Sequence, residues 1–444
     1  MPSETKDLRL NKFLLIQILL LDLIGFSLIF PLVPDLLEYY LTGAKSKPID
    51  SWLIPLKETI VSLLPESRRS DTNTIVLLGG ILSSIYSLLQ FIFSPYWGRL
   101  SDRIGRRKVL ILTSFGLSFS YLIWAFTSDF TTFLISRVIG GIMAGNLGVA
   151  TAAMADMSDR ENRTKSMGLI GAAFGAGFVV GPVIGGISSK LNIMEYFPEA
   201  GFLNPFSFCA LLSFLLSFAS AMRNMLSFRE TLAVSHDIRH TWIGNPVRAL
   251  ISVHSRGFYY LVAINFLYLT VFSGFEFTLT FFYKLDFRLD PYRIGFVFLY
   301  LGVIIASGQG MLIRFMTPKY GEKKIILAGL LIIPGPLALL AYSAPNISLS
   351  LLYLLPVAAG AALIMPSLTG LASLLSPADR QGLALGVFRS SGALARAVGP
   401  LIGAYLYWIF GVRISYVILA AVFVLILILA MRLQEIRKPS NSKK

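Results

Sequence analysis

Five ionisable side chains stand inside long apolar stretches of the sequence: Asp22, Arg137, Glu276, Arg389 and Arg396. A charge near the centre of a bilayer costs at least about 2.5–3.5 kcal/mol on insertion scales, so each of the five is a functional candidate. Two of them are acids. The three histidines (His236, His240 and His254) fall in one polar loop, so any proton carried through a membrane must ride on carboxylates. Glu276 lies among Phe266, Tyr268, Phe272, Phe275 and Phe281 and could be protonated in a dry state; Phe272 and Phe275 could wall an amphipathic pocket beside it. Arg396 carries a planar fork that matches a carboxylate or sulfonate bidentately, which makes it the first candidate for holding an anion. A permanent Arg396–Glu276 pair is the structural alternative. Arg389, seven residues earlier on roughly the same helical face, lies nearer the segment end, where it meets an inner gate or lipid headgroups. Gln90, Asn146, Asn265 and Gln309 are uncharged polar residues of the same stretches, suited to substrate hydrogen bonds or to interhelical bonding.

The elements that must position these groups follow from composition. Of 444 residues 55% are hydrophobic and only 14% charged, with mean hydropathy +0.70, against roughly a quarter charged in soluble domains. Stretches long enough to span a bilayer as helices lie at about 12–38, 74–97, 108–127, 130–154, 166–189, 204–226, 258–284, 292–315, 324–343, 349–375, 382–409 and 413–432. The expected fold is therefore an all-α membrane protein with twelve spans.

The net charge of +15 does not point to nucleic acid, because the cations sit in short loops between spans. Arg99, Arg103, Arg106, Arg107 and Lys108 fill the second loop, Arg160, Arg163 and Lys165 the fourth, and Arg314, Lys319, Lys323 and Lys324 the eighth. Odd loops are acidic or mixed, and the ninth, Pro345 to Leu349, is uncharged, which predicts that both termini are cytoplasmic. The long first loop contains Leu53 to Leu64, a candidate amphipathic helix on the outer surface. The first apolar stretch follows Lys6, Arg9 and Lys12 without a small-residue cleavage site and reads as an uncleaved helix. The single cysteine, Cys209, argues against disulfides, thiol catalysis and cysteine metal sites. Asn346-Ile347-Ser348 in the ninth loop is a lone glycosylation triplet.

The sequence repeats itself. Val180-Gly181-Pro182-Val183-Ile184-Gly185-Gly186 returns as Val398-Gly399-Pro400-Leu401-Ile402-Gly403-Ala404, Arg163 as Arg380, and Gly105-Arg106-Arg107-Lys108 as Gly321-Glu322-Lys323-Lys324, at nearly one offset. This predicts two six-helix bundles, residues 1–226 and 258–444, joined by a cytoplasmic linker at 227–257, with substrate bound near the midplane between them.

The second loop, from Gly98 through Asp102, Gly105, Arg106 and Arg107 to Lys108, resembles the signature loop of the major facilitator superfamily. The glycines allow a tight reversal, and Asp102 can serve free amides at a helix N-terminus. A loop that is merely solvated and basic needs neither. The resemblance implies that this helix is the eleventh, that Arg106 pairs with Asp156 at the end of the fourth span, and that the loop works as a cytoplasmic gate.

Three further stretches narrow the match: Asp22 to Pro34, Ser136-Arg137 through Gly140-Gly141 with Asp156, and the fifth-span run Gly175, Gly177, Gly181, Pro182, Gly185 and Gly186. Together they resemble twelve-helix drug/proton antiporters of the tetracycline-exporter kind. Phe272 to Leu279 and Arg389 to Pro400, including Gly399, together with Asn146, are similar to the tetracycline-transporter-like (TETRAN) branch. That resemblance implies alternating access, proton-coupled antiport, and export of amphipathic organic anions or drugs. In it, the helices of Asp22 and Arg137 line the central cavity, with Asp22 carrying the proton and Arg137 tuning it; the glycine–proline runs act as a hinge. The competing reading makes Asp22 a packing acid and Arg137 a structural arginine. One departure is Ser120, where the bacterial exporters carry a third-span aspartate, which argues against tetracycline as a metal chelate. The expected partners are a small-molecule substrate, protons and membrane lipids. The chain is expected to be no enzyme, to need no cofactor or metal, and to act as a monomer in the plasma membrane, or the inner membrane of a bacterium. A uniporter or symporter of a metabolite or lipid, and a non-transporting sensor or chaperone, are the alternatives.

Overall fold

Lipid offers the backbone no hydrogen-bond partners, so an apolar chain of this kind satisfies its amides within helices. The computed structural model describes residues 2–42, 50–63, 71–158, 163–231, 256–309, 313–376 and 381–433, and every long regular element among them is a helix. The three histidines, Arg160, Arg380 and most of the expected linker lie outside the described residues.

Ten of the described helices are long and apolar enough to cross a membrane, and a shorter apolar one covers Pro291–Ser307. The last of the ten belongs to a 51-residue helix, Gln381–Met431. At 1.5 Å per residue it would run roughly 75 Å, more than twice a bilayer core. It is two spans, because Gly411 interrupts it with φ of 74°. The count is therefore twelve, as the hydropathy predicts.

In chain order the spans are Leu8–Leu41, Thr74–Ile104, Arg106–Ala125, Phe130–Asp156, the helix Arg163–Ser188, Ser207–Ser227, Gly257–Leu285, Pro291–Ser307, Glu322–Leu340, Ile347–Leu375, and the two parts of Gln381–Met431. Prolines, which lack a donor, interrupt the first span around Phe30–Leu32. Asp129 opens the fourth span by accepting from the Thr132 amide at 2.7 Å, an N-cap. Gly105 and Gly321, which correspond in the repeat, both adopt positive φ (103° and 78°) and start the third and ninth spans.

The first loop forms the expected short helix, Leu53–Ser62. Asp50 ties it down by accepting from the Thr131 amide at 2.8 Å and the Thr131 hydroxyl at 2.6 Å.

The chain divides into two compact units. The first comprises Met1–His240, Phe277–Gly302 and Pro400–Ile409; the second comprises Thr241–Glu276, Val303–Gly399 and Phe410–Lys444. Within the first unit the fifth span lies directly on the first. A Cβ on Gly177 would stand 2.5 Å from that of Leu23, and one on Gly181 would stand 2.8 Å from the Ile24 carbonyl and collide with the Ser27 hydroxyl. Gly185 meets the Leu28 backbone in the same way. Three glycines at four-residue spacing thus form a seam on which two backbones touch. Gly175, by contrast, faces open space. Gly181→Leu should cost more than about 3 kcal/mol and leave little folded protein, whereas Gly175→Ala should be silent; fluorescence-detected gel filtration of the two variants checks this.

The second unit repeats the seam. A Cβ on Gly399 would collide with the Ser273 hydroxyl and stand 2.5 Å from the Thr270 carbonyl and 3.1 Å from the Gly274 amide. Gly181 meets Ser27, Ile24 and Leu28 in the same order. The internal repeat therefore extends from sequence to individual interhelical contacts.

Candidate functional site

Asp22 is buried in the first span at 6% exposure. The fourth span breaks at Ala144 and Gly145, so its second segment begins at Asn146. The Asn146 amide group donates to Asp22 Oδ2, while Asp22 Oδ1 has no hydrogen-bond partner.

Arg137 does not form a direct ion pair with Asp22. Its guanidinium sits over the rings of Trp124 (4.9 Å), Phe133 (5.5 Å) and Tyr121 (5.6 Å), in cation–π contact with the third and fourth spans. Its Nε donates to Ser136 Oγ at 3.4 Å, and Nη2 is buried without a partner. Tyr86 and Tyr121 each feel the charge of both Asp22 and Arg137.

In the second unit Glu276 and Arg396 are both half-buried and act electrostatically on one another. The seam contacts give the register that relates the units. Carried along the helices, Phe26 corresponds to Phe272, Phe30 to Glu276, and Phe178 to Arg396. In the first unit Phe30 and Phe178 are an edge-on ring pair 5.7 Å apart. The second unit thus places an acid and an arginine where the first has two rings. Nothing in the linear sequence marks this exchange, because the flanking residues of the first and seventh spans match too weakly.

Other expected residues fall differently. Phe275 is fully buried against Tyr416, 5.5 Å away, so it packs helices together and does not wall a pocket. Phe272 is half-buried and stacked on Tyr268 at 5.8 Å. Gln309 and Arg389 are exposed. Asn265 donates to the Phe388 carbonyl and Ser391 Oγ, both at 3.4 Å, the interhelical use of a polar residue.

At the Gly98–Lys108 end, Arg106 is buried and gathers the loop. It reaches Asp102 at 2.6 Å, Asp156 at 3.0 Å and Ser101 Oγ at 2.6 Å. Only one of the two glycines makes the reversal: Gly105 does so, while Gly98 lies inside the second-span helix with room for a Cβ. The sequence reading missed Glu230. Its carboxylate accepts from the amides of Arg106 (2.9 Å) and Arg107 (3.2 Å), capping the third span at its positive end. Asn11 holds that segment in place by exchanging two hydrogen bonds with the Arg229 backbone, at 3.1 and 3.2 Å. Arg107 donates to the Met225 carbonyl at 2.7 Å.

At the opposite end, Lys284 pairs with Asp35 and stands 3.9 Å from Glu38, joining the ends of the first and seventh spans. Tyr407 donates to Asp286 at 3.4 Å. Here Gly186 and Gly295 let the fifth and eighth spans touch: a Cβ on Gly186 would stand 2.8 Å from the Pro291 carbonyl, and one on Gly295 2.7 Å from that of Pro182. Pro182 and Pro400 therefore lie at close-packed crossings, since the Pro400 carbonyl also backs onto Gly80. Lys284→Ala should open this end. A cysteine placed at buried Leu37 should label faster with an impermeant maleimide in that variant, and the swap Asp35→Lys with Lys284→Asp should restore protection.

Paired helical seams, mid-span charges and a loop gathered by a buried arginine at one end define a multi-pass membrane transporter built on an internal duplication. The profile of the Major Facilitator Superfamily matches residues 15–357 and 310–444, and the chain belongs to that family. It is 36% identical over 425 residues to major facilitator superfamily domain-containing protein 10 of Bos taurus, covering 92% of this chain and 89% of that protein. It is 28% identical over 394 residues to the class E tetracycline resistance protein of Escherichia coli, covering 88% of this chain and 86% of that protein. The crystal structure of the human organic anion transporter MFSD10 (TETRAN) matches with a TM-score of 0.71 at 30% identity, over 95% of this chain and 99% of that one. These relatives are transporters and not enzymes.

Proposed function

We propose that this transporter is a proton-coupled antiporter that exports amphipathic organic anions by alternating access. Asp22 carries the proton, Glu276 is a second titrating acid, and Arg396 holds the anion. The observation that carries the reading is the asymmetry of Asp22: Oδ2 is held by Asn146 while Oδ1 is unpartnered. A proton can therefore join Oδ1 without costing the bond that fixes the side chain. The similarity to an organic anion transporter supports the substrate class.

On this reading both termini are cytoplasmic and the protein works in the plasma membrane. Asp102, Arg106, Arg107, Asp156 and Glu230 order the cytoplasmic gate. The Lys284–Asp35 pair closes the outer end.

Purified protein in liposomes with an imposed pH gradient tests the reading. Antiport predicts uptake of an anionic probe into acid-loaded vesicles. Uptake only with the reverse gradient would mean symport, gradient-independent flux a uniporter, and no flux a sensor.

A further inference from the structure

Among the buried polar atoms of the first bundle that lack a hydrogen-bond partner within the protein are Asp22 Oδ1, Tyr121 Oη and Arg137 Nη2. They belong to three different spans. Each sits on a side chain more than nine-tenths buried, with exposures of 6%, 1% and 4%. An orphaned buried polar atom costs about 1–3 kcal/mol, so three in one neighbourhood call for a common partner.

The geometry brings them toward one point. Gly25 stands one helical turn after Asp22, and a Cβ there would lie 3.2 Å from Tyr121 Oη, so the first span crosses directly over the tyrosine hydroxyl. On its other side Tyr121 carries Arg137 against its ring at 5.6 Å. The groups facing Asp22 are Tyr86 from the second span, Tyr121 from the third and Asn146 from the fourth; Asn146 takes only Oδ2, and both tyrosines also feel the charge of Arg137. Asp22 can only accept when ionised, Arg137 can only donate, and a hydroxyl does both. Water has the same dual capacity and is the usual occupant of a buried site with two to four polar partners.

We propose that Tyr121, with buried water, bridges Asp22 Oδ1 to Arg137 Nη2, so that the hydroxyl of the third span transmits the guanidinium's charge to the acid. Tyr121 is a positioning residue for proton coupling and carries no proton across the membrane itself. The bridge gives Arg137, which does not touch Asp22, a route by which to act on it. Any movement of the first span against the third breaks the bridge, which ties the acid's affinity for a proton to the conformational change. This inference rests on the reading of Asp22 as the proton carrier.

Tyr121→Phe keeps the ring beneath Arg137 and deletes only the hydroxyl. In infrared difference spectra at acid pH, the carboxyl C=O band that disappears in Asp22→Asn should shift in frequency in Tyr121→Phe. In liposomes loaded with a pH dye, protons moved per molecule of fluorescein, used as an amphipathic carboxylate probe, should fall about tenfold. Tyr86→Phe should leave the band in place. An unshifted Asp22 band in Tyr121→Phe overturns the bridge even if that variant no longer transports. Absence at every pH of a carboxyl band assignable to Asp22 would instead overturn the proton-carrier reading, and the bridge with it.

Discussion

Asp22→Asn should abolish proton-driven uptake of an anionic probe while leaving one-for-one substrate exchange measurable. The substitution is nearly isosteric, and its carbonyl oxygen can still accept from the Asn146 amide group, so the break in the fourth span keeps its partner. What disappears is the oxygen that can take a proton. A positioned acid–base group is worth roughly 10²–10⁴-fold in the steps it serves, and a loss of at least about 100-fold in gradient-driven flux is expected. Exchange needs no net proton movement and reports that the fold and the substrate site survive. Wild-type uptake in Asp22→Asn would refute the assignment and move it to Glu276, where Glu276→Gln repeats the measurement.

Arg396→Ala should lose anion binding with expression preserved, read as disappearance of the thermal shift produced by anionic ligands. Hydrogen bonds to a charged group contribute about 1.5–3 kcal/mol, so affinity should fall roughly 10- to 150-fold. Arg396→Lys should recover part of the attraction but not the fork that grips two oxygens. Because Arg396 also acts on Glu276, the single variant strands an acid in the second unit and should lower the melting temperature for that reason alone. The double variant Arg396→Ala with Glu276→Gln removes both charges and separates the two effects. Stability should return and anion affinity should not. Recovery of affinity along with stability would show that the pair is structural and that the anion binds elsewhere.

Much of this was legible in the chain. The twelve spans follow from apolar length, and the repeat from one glycine–proline run and two loops. The Arg106–Asp156 bond was readable only through the resemblance of the second loop to the superfamily's signature loop. Mid-span charges announced themselves by cost. Their partners did not. Asn146 was one of four uncharged polar residues within spans, and no local pattern in the sequence marks Asp22 as its partner or sets Glu230 and Lys284 apart from other charges at helix ends. Phe275 and Phe272 carried the same sequence signal, yet one is sealed against Tyr416 and the other only half-buried.

The reason lies in the solvent. A soluble helix separates its buried and exposed faces by polarity, and that stripe can be read from periodicity. A helix in lipid is apolar on both faces, so the chain alone fixes that it spans but not which way it turns. Composition and spacing determined the twelve helices and the internal repeat of this transporter. Packing alone decided that Arg137 lies in an aromatic cage away from Asp22, that glycine seams bring the first and fifth and the seventh and eleventh spans into backbone contact, and that a charged pair occupies in one half the place of two phenylalanines in the other.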